Sequence, residues 1–405
     1  MTSPGFPSGA HRAENLESRL TDILRIQVVW ASGSDEGARI AEMISKHFDG
    51  IGMERDGVAY RVPVRFASEP WDGSSPLPKP LDLDRAVHNA VILLHDDLMH
   101  EDAAQWDGWV QATRASMEAR GTTDVYIPFG SPTGEPALRS DRARHTQYAY
   151  RKKWMALADP NARDKRLLLH ALHRIREHLR QSFGRHEDEP LFVSHAKADG
   201  DRTARAIVDF VNSSGHDVPL HTFYDAMELN PGEDFEQRFK IEIGHGTLIA
   251  IVSDVYDSRP WCVFELTTAK RERRPIVLAD VGGVRISRTF PYGANLPRVR
   301  LKPDPGSDAW IEPLLVEALS EGLRCDLFEA QARNLLSKSV ADALVLPRPP
   351  ELFDIVDRPV PDMIIYPDPP LGDIEADLLR KALDVIAPGS RFVTLGALTW
   401  ATWQA

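Results

Sequence analysis

Short runs rich in apolar and β-branched residues alternate with amphipathic helical stretches along this chain, and that alternation leaves few folds open. The first series is IQVVW (Ile26 to Trp30), YRVPVRF (Tyr60 to Phe66), NAVILLH (Asn89 to His95) and VYIPF (Val125 to Phe129). A second series follows: LFVS (Leu191 to Ser194), LHTFY (Leu220 to Tyr224), TLIAIVS (Thr247 to Ser253), PIVLA and RVRL (Arg298 to Leu301). Strands buried on both faces and separated by single helices imply an α/β fold, a parallel sheet with helices on either side.

The pattern divides the chain. Residues 1–20 lack an apolar core and read as a flexible arm; 21–135 hold the first α/β series; 136–188 read as a basic helical linker; 189–305 hold the second series; 306–405 form a helical and α/β C-terminal region. Arg142 to Arg185 contains twelve Lys/Arg against three Asp/Glu. Leu168, Leu172, Ile175, Leu179 and Phe183 fall at helical spacing there, which predicts one packed face opposite a solvated basic face. In the last region, Trp310 to Ala343 reads as helix, and MIIYPDPP, IEADLLRKALDVI and RFVTLGAL read strand, helix, strand.

Bulk properties exclude several classes. A net charge of −12 does not attract nucleic acid or anionic lipid. Two cysteines, Cys262 and Cys325, build neither a disulfide framework nor a cysteine-based metal site, so no metal is expected and the cysteine usage fits a reducing cytoplasm. No signal peptide and no apolar run long enough to span a bilayer is present.

Parallel sheets bind ligands where loops leave the C-terminal ends of their strands. In the second series those loops are Ser194-His195-Ala196-Lys197-Ala198-Asp199, Tyr224-Asp225-Ala226-Met227-Glu228-Leu229-Asn230-Pro231-Gly232 and Ser253-Asp254-Val255-Tyr256-Asp257-Ser258-Arg259, the last followed by Trp261 and Glu265 one helical turn apart. The strings FVSHAKAD, FYDAMELNPGEDF and SDVYDSRPWCVFEL together resemble the TIR family over about 110 residues. Ser253, Tyr256, Trp261, Cys262 and Glu265 fit the pattern S-x-x-Y-x-x-S, W-C-x-x-E of its enzymatic members. Two departures stand out: an extra residue, Arg259 or Pro260, before Trp261, and His195 where many relatives carry an aromatic.

The resemblance implies a flavodoxin-like parallel sheet and cleavage of the nicotinamide–ribose bond of NAD⁺, a substrate rather than a cofactor, with Glu265 as the catalytic residue. It places Ser194, His195, Lys197, Tyr224, Asp225, Ser253, Tyr256 and Trp261 at the substrate site. It further implies an oligomerisation-activated, anti-phage type of immune effector or signal-nucleotide producer, a homo-oligomer held by TIR–TIR contacts, and a trigger ligand or sensor protein. Blander readings stand beside these. Ser194 and Tyr224–Asp225 serve turns, Trp261 serves the core, His195 and Lys197 are solvated, and Cys262 is a small buried apolar residue. The whole domain is alternatively a non-catalytic scaffold, or an enzyme acting on another N-glycosidic bond.

The first series carries VILLHDDLMHEDAAQWDGWV. Placing Trp106 on Trp261 puts Val110 where Glu265 stands, which predicts a degenerate, non-catalytic TIR-like domain.

Overall fold

In the computed structural model the described residues run from 22 to 398, apart from 52, 56–57, 61, 71–74, 187–188, 224–242, 282–292, 294, 305, 337–342 and 357–358. The chain forms two compact units, one of residues 1–49 with 61–152 and one of 50–60 with 153–405.

The first unit is a five-stranded parallel sheet: β1 (Asp22–Val29), β2 (Val64–Ala67), β3 (Ala86–Leu94), β4 (Asp124–Gly130) and β5 (Ala149–Tyr150), in spatial order β2-β1-β3-β4-β5. Helix α1 (Asp35–Asp49) begins where the Ser34 hydroxyl accepts the Gly37 N–H at 3.1 Å. It buries Ile40, Ala41, Ile44 and Phe48, one face at helical spacing. Helix α2 (Ala103–Ala119) buries Trp106, Trp109, Val110, Thr113 and Met117 in the same way. The expected strand over Tyr60 to Phe66 is divided: Tyr60 ends a separate short strand, Val58–Tyr60, paired antiparallel with Met53–Arg55, and β2 begins only at Val64, after Pro63, which has no N–H to give to a ladder. The fifth strand falls inside 136–188, so the first part of that basic segment completes this sheet.

The second unit repeats the plan: β6 (Leu191–His195), β7 (Thr222–Phe223), β8 (Thr247–Val252), β9 (Ile276–Asp280) and β10 (Arg298–Arg300), in order β7-β6-β8-β9-β10, all parallel. Both sheets therefore have the strand order 2-1-3-4-5, the flavodoxin-like arrangement. Around this sheet lie α3 (Pro160–Ser182), α4 (Asp201–Asn212), α5 (Pro260–Arg271) and the long α6 (Ile311–Leu336).

Helix α3 packs along α6. Its apolar face is as expected, with Leu168, Leu172, Ile175 and Leu179 buried. Its basic face is not wholly solvated. Arg166, Arg176 and Arg180 are buried: Arg166 pairs with Glu312 at 3.1 Å, and Arg176 with Glu189 at 2.7 Å and Asp326 at 3.1 Å. A Cβ at Gly322 would overlap the Arg176 guanidinium, so a glycine on α6 makes room for that pair. A buried arginine without carboxylate partners would be prohibitive; these have them.

The C-terminal layer adds β11 (Ala343–Val345), α7 (Leu352–Val356), β12 (Met363–Tyr366), α8 (Asp373–Ile386) and β13 (Arg391–Thr394), a three-stranded parallel sheet in sequence order. One face packs Met363 and Ile365 on Phe328 and Ala332 of α6; the other packs Ile364 and Tyr366 under Ile355 and Leu383. The Lys270 ammonium of α5 meets Glu351 of this layer at 2.6 Å. Among the described residues no helix is long and apolar enough to cross a membrane.

Candidate functional site

Helix α5 decides the site. After Tyr256–Ser258 makes a single 3-10 turn, Arg259 is extended (φ −94°, ψ 114°) and Pro260 takes the first helical position. The extra residue before Trp261 is absorbed in this turn. The helix then turns Cys262, Glu265, Leu266 and Ala269 inward, a stripe at i, i+3, i+4 and i+7. Glu265 thus holds a core position, 7% exposed. Burying a carboxylate there is unfavourable unless hydrogen bonds compensate.

Compensation comes from the end of β6. The Ser194 hydroxyl donates to Glu265 Oε2 at 2.5 Å, and the Tyr256 hydroxyl lies 2.7 Å from Ser194 Oγ and 3.4 Å from the Cys262 carbonyl. A serine hydroxyl has one proton. Since Ser194 gives it to the carboxylate, Tyr256 is the donor toward Ser194. Burial, then the Glu265 charge, push the Tyr256 phenol well above its ordinary range, so it stays protonated and donating. The same two causes push the Cys262 thiol up to about 12, which rules it out as a thiolate nucleophile near neutral pH. Tyr256 is fully buried, so its place is behind Ser194 rather than on an open surface.

The neighbouring loops are stapled by a residue that sequence reading did not single out. Asp199 accepts from Ser253 Oγ at 2.6 Å and from the Val255 N–H at 3.3 Å, tying the loop after β6 to the loop after β8. Ser253 is buried in this staple. An aspartate two residues before a helix reads as turn chemistry, and only the fold brings it to Ser253, 54 positions away.

The other expected residues are dispersed. The His195 side chain lies against α4, with Nε2 3.7 Å from Asp201 Oδ1. Lys197 is exposed. Trp261 is 49% exposed at the start of α5, with Phe264 edge-on at 5.4 Å and 88°. Tyr224 and Asp225 lie outside the described residues. Among the described residues, no group of three or more His, Cys, Asp or Glu is arranged to hold a metal ion.

A family model described as TIR domain matches residues 191–312, less than a third of the chain, from the first residue of β6 into the first turn of α6. No curated protein matches the chain.

Proposed function

Since residues 191–312 are a TIR domain, we propose that the chain cleaves the nicotinamide–ribose bond of NAD⁺ and that Glu265 is the catalytic residue. One observation carries this reading: a carboxylate stands on the core-facing stripe of α5, buried and oriented by Ser194, at the C-terminal edge of a parallel sheet. Such placement works against stability, and residues that do so concentrate where chemistry is performed.

The chemistry fits a single acidic group. As the C1′–N bond breaks, its electron pair returns to the pyridinium nitrogen and nicotinamide departs neutral, with no acid required. Positive charge develops on the ribose, and a fixed carboxylate in a water-poor site stabilises it. Water then adds to C1′ and loses a proton, giving ADP-ribose; internal capture of the same cation gives a cyclic product instead. Glycosidases need a second carboxyl because their leaving groups are poor. Ser194 and Tyr256 act as positioning residues that hold the Glu265 carboxylate in one direction. In a cell, unchecked NAD⁺ loss is toxic, so this reading includes control by a trigger and by self-association of TIR domains in a defence role.

Glu265→Ala and Glu265→Gln should lower the rate of NAD⁺ loss by about 10²–10³-fold. Chromatography of the products formed by concentrated protein checks this. Equal rates in wild type and both variants would sink the proposal and leave a TIR scaffold, a reading that the half-exposed Trp261 favours as a contact residue.

A further inference from the structure

The edge of the TIR sheet opposite Glu265 carries an unexpected concentration of positive charge. A cavity of about 40 Å³ lies at the start of β9 and is lined by Arg176, Arg180, Arg185, Arg273 and Arg274, with Asp326 and Glu329 as its acidic members. Arg348 lies alongside and donates to the Arg274 carbonyl at 2.6 Å. The carboxylates are engaged by the α3 side. Glu189 takes Arg176 and Arg180, Asp326 takes Arg176, and Glu329 takes Arg185 at 2.7 Å. Six guanidinium groups gather here, and besides those three carboxylates Glu272 acts on Arg274, Glu321 on Arg348, and Asp354 on Arg273 and Arg348.

Two further features mark this cluster as more than a structural network. Arg274 Nε and Arg348 Nη1 are buried with no hydrogen-bond partner, a state that costs free energy in an empty protein. The turn that delivers Arg274 is also strained. Arg273 N–H bonds to the Lys270 carbonyl and Arg274 N–H to the Ala269 carbonyl, which is a Schellman end to α5, with Arg273 left-handed at φ 57°. Glycine is the usual residue there, and a side chain disfavours it. Burial, then the charges of Arg185 and Arg180, pull the Arg274 guanidinium below its ordinary range, against Glu189 and Glu272.

A larger chamber of about 350 Å³ is lined by the same Arg176, Arg180 and Arg185 and further by His173, His186 and His221. We propose that this edge of the sheet is a binding site for a phosphate-bearing small molecule, its phosphate held by Arg185, Arg274 and Arg348 and the rest of the molecule in the larger chamber. Forked guanidinium donors match phosphate oxygens in pairs, and the small cavity has room for a few atoms beyond a single water. Because Arg273 and Arg274 end the helix that bears Glu265, an occupant here would tie α5 to α3 and to the C-terminal layer.

Calorimetry on the full chain at constant ionic strength, with inorganic phosphate, pyrophosphate and adenosine monophosphate as probes, tests this. Saturable binding is expected, and it should weaken about tenfold or more in Arg274→Gln. Tighter binding of the nucleotide than of bare phosphate would identify an organic phosphate as the source; equal binding would identify the inorganic ion. Unliganded Arg274→Gln should melt at or above the wild-type temperature, because a guanidinium that is desolvated and repelled by Arg185 and Arg180 has been removed. The proposal is overturned if none of the probes binds saturably, or if affinity is unchanged in both Arg274→Gln and Arg348→Gln. A fall in unliganded stability in Arg274→Gln that Arg274→Lys restores, with no probe binding, would show the cluster to be structural. NAD⁺ cleavage is not read, so failure here leaves Glu265 untouched.

Discussion

The two five-stranded sheets share a strand order and differ at the point where chemistry is proposed. In the first, Val29 pairs with Leu93; in the second, Ser194 pairs with Ala250. Two residues on, Ala31 and Ala196 each enter the cluster beneath the following helix. The same offset that sets Leu93 on Ala250 sets Met99 on Tyr256, and the tryptophans set Val110 on Glu265. The first sheet thus has Val29, Met99 and Val110 together in one apolar cluster, where the second has Ser194, Tyr256 and Glu265 in one hydrogen-bonded chain. Trp106 is 1% exposed, whereas Trp261 is 49% exposed. The fold closes without the polar trio, so folding alone does not explain the trio's presence in the second sheet.

The comparison breaks most directly at Val110. Val110→Glu would bury a carboxyl among Val29, Met99, Trp106 and Trp109. No hydroxyl stands where Ser194 stands in the other sheet, so the group would have to protonate or be expelled. A destabilisation on the order of 4 kcal/mol is expected, read by denaturant unfolding. A variant as stable as wild type would mean that the two helices do not present these positions to equivalent surroundings.

Much of this was legible in the sequence, and the reasons are local. The sheets showed because Ala90 to Leu94 of β3 and Leu248 to Val252 of β8 are continuous apolar runs, which fit a strand buried on both faces. Glu265 showed because Trp261, Cys262 and Glu265 fall within one short string. Strand β5, two residues long, carries no periodicity to detect. The burial of Arg176 was illegible because its acidic partners Glu189 and Asp326 stand 13 and 150 positions away. The resemblance puts Tyr256 at the substrate site; what no sequence shows is that its hydroxyl stands 2.7 Å behind that of Ser194, 62 positions away.

A second difference lies one turn of chain away. The offset that pairs Met99 with Tyr256 places His95 where the second sheet has Val252. His95 is fully buried, and neither ring nitrogen has a hydrogen-bond partner. Burial first, then the charges of His100 and Arg151, lower it from the ordinary 6.5 to about 4, against Asp141 and Asp97. As pH falls between those values, the unfolded chain takes up the proton and the folded unit does not, so stability declines across that window. The loss is at most about 3 kcal/mol. Thermal melts from pH 7 to 4 should show the first unit weakening and His95→Val abolishing most of the trend. An unchanged trend in that variant would assign the pH dependence elsewhere.

The smallest effect is the most discriminating. Ser194→Val alone leaves Glu265 and Tyr256 buried without their shared hydroxyl and should cost about 1–3 kcal/mol. Removing all three polar groups together, as Ser194→Val, Tyr256→Phe and Glu265→Leu, recreates the apolar trio of the first sheet. Replacing buried partners by apolar groups of similar shape is near neutral or stabilising, so the triple variant should lie within about 1 kcal/mol of wild type or above it. Glu265 would then be a residue held against the preference of its own core. A triple variant markedly less stable than Ser194→Val would show instead that the hydrogen-bonded chain supports the fold, and the contrast between the two sheets would be one of packing rather than of chemistry.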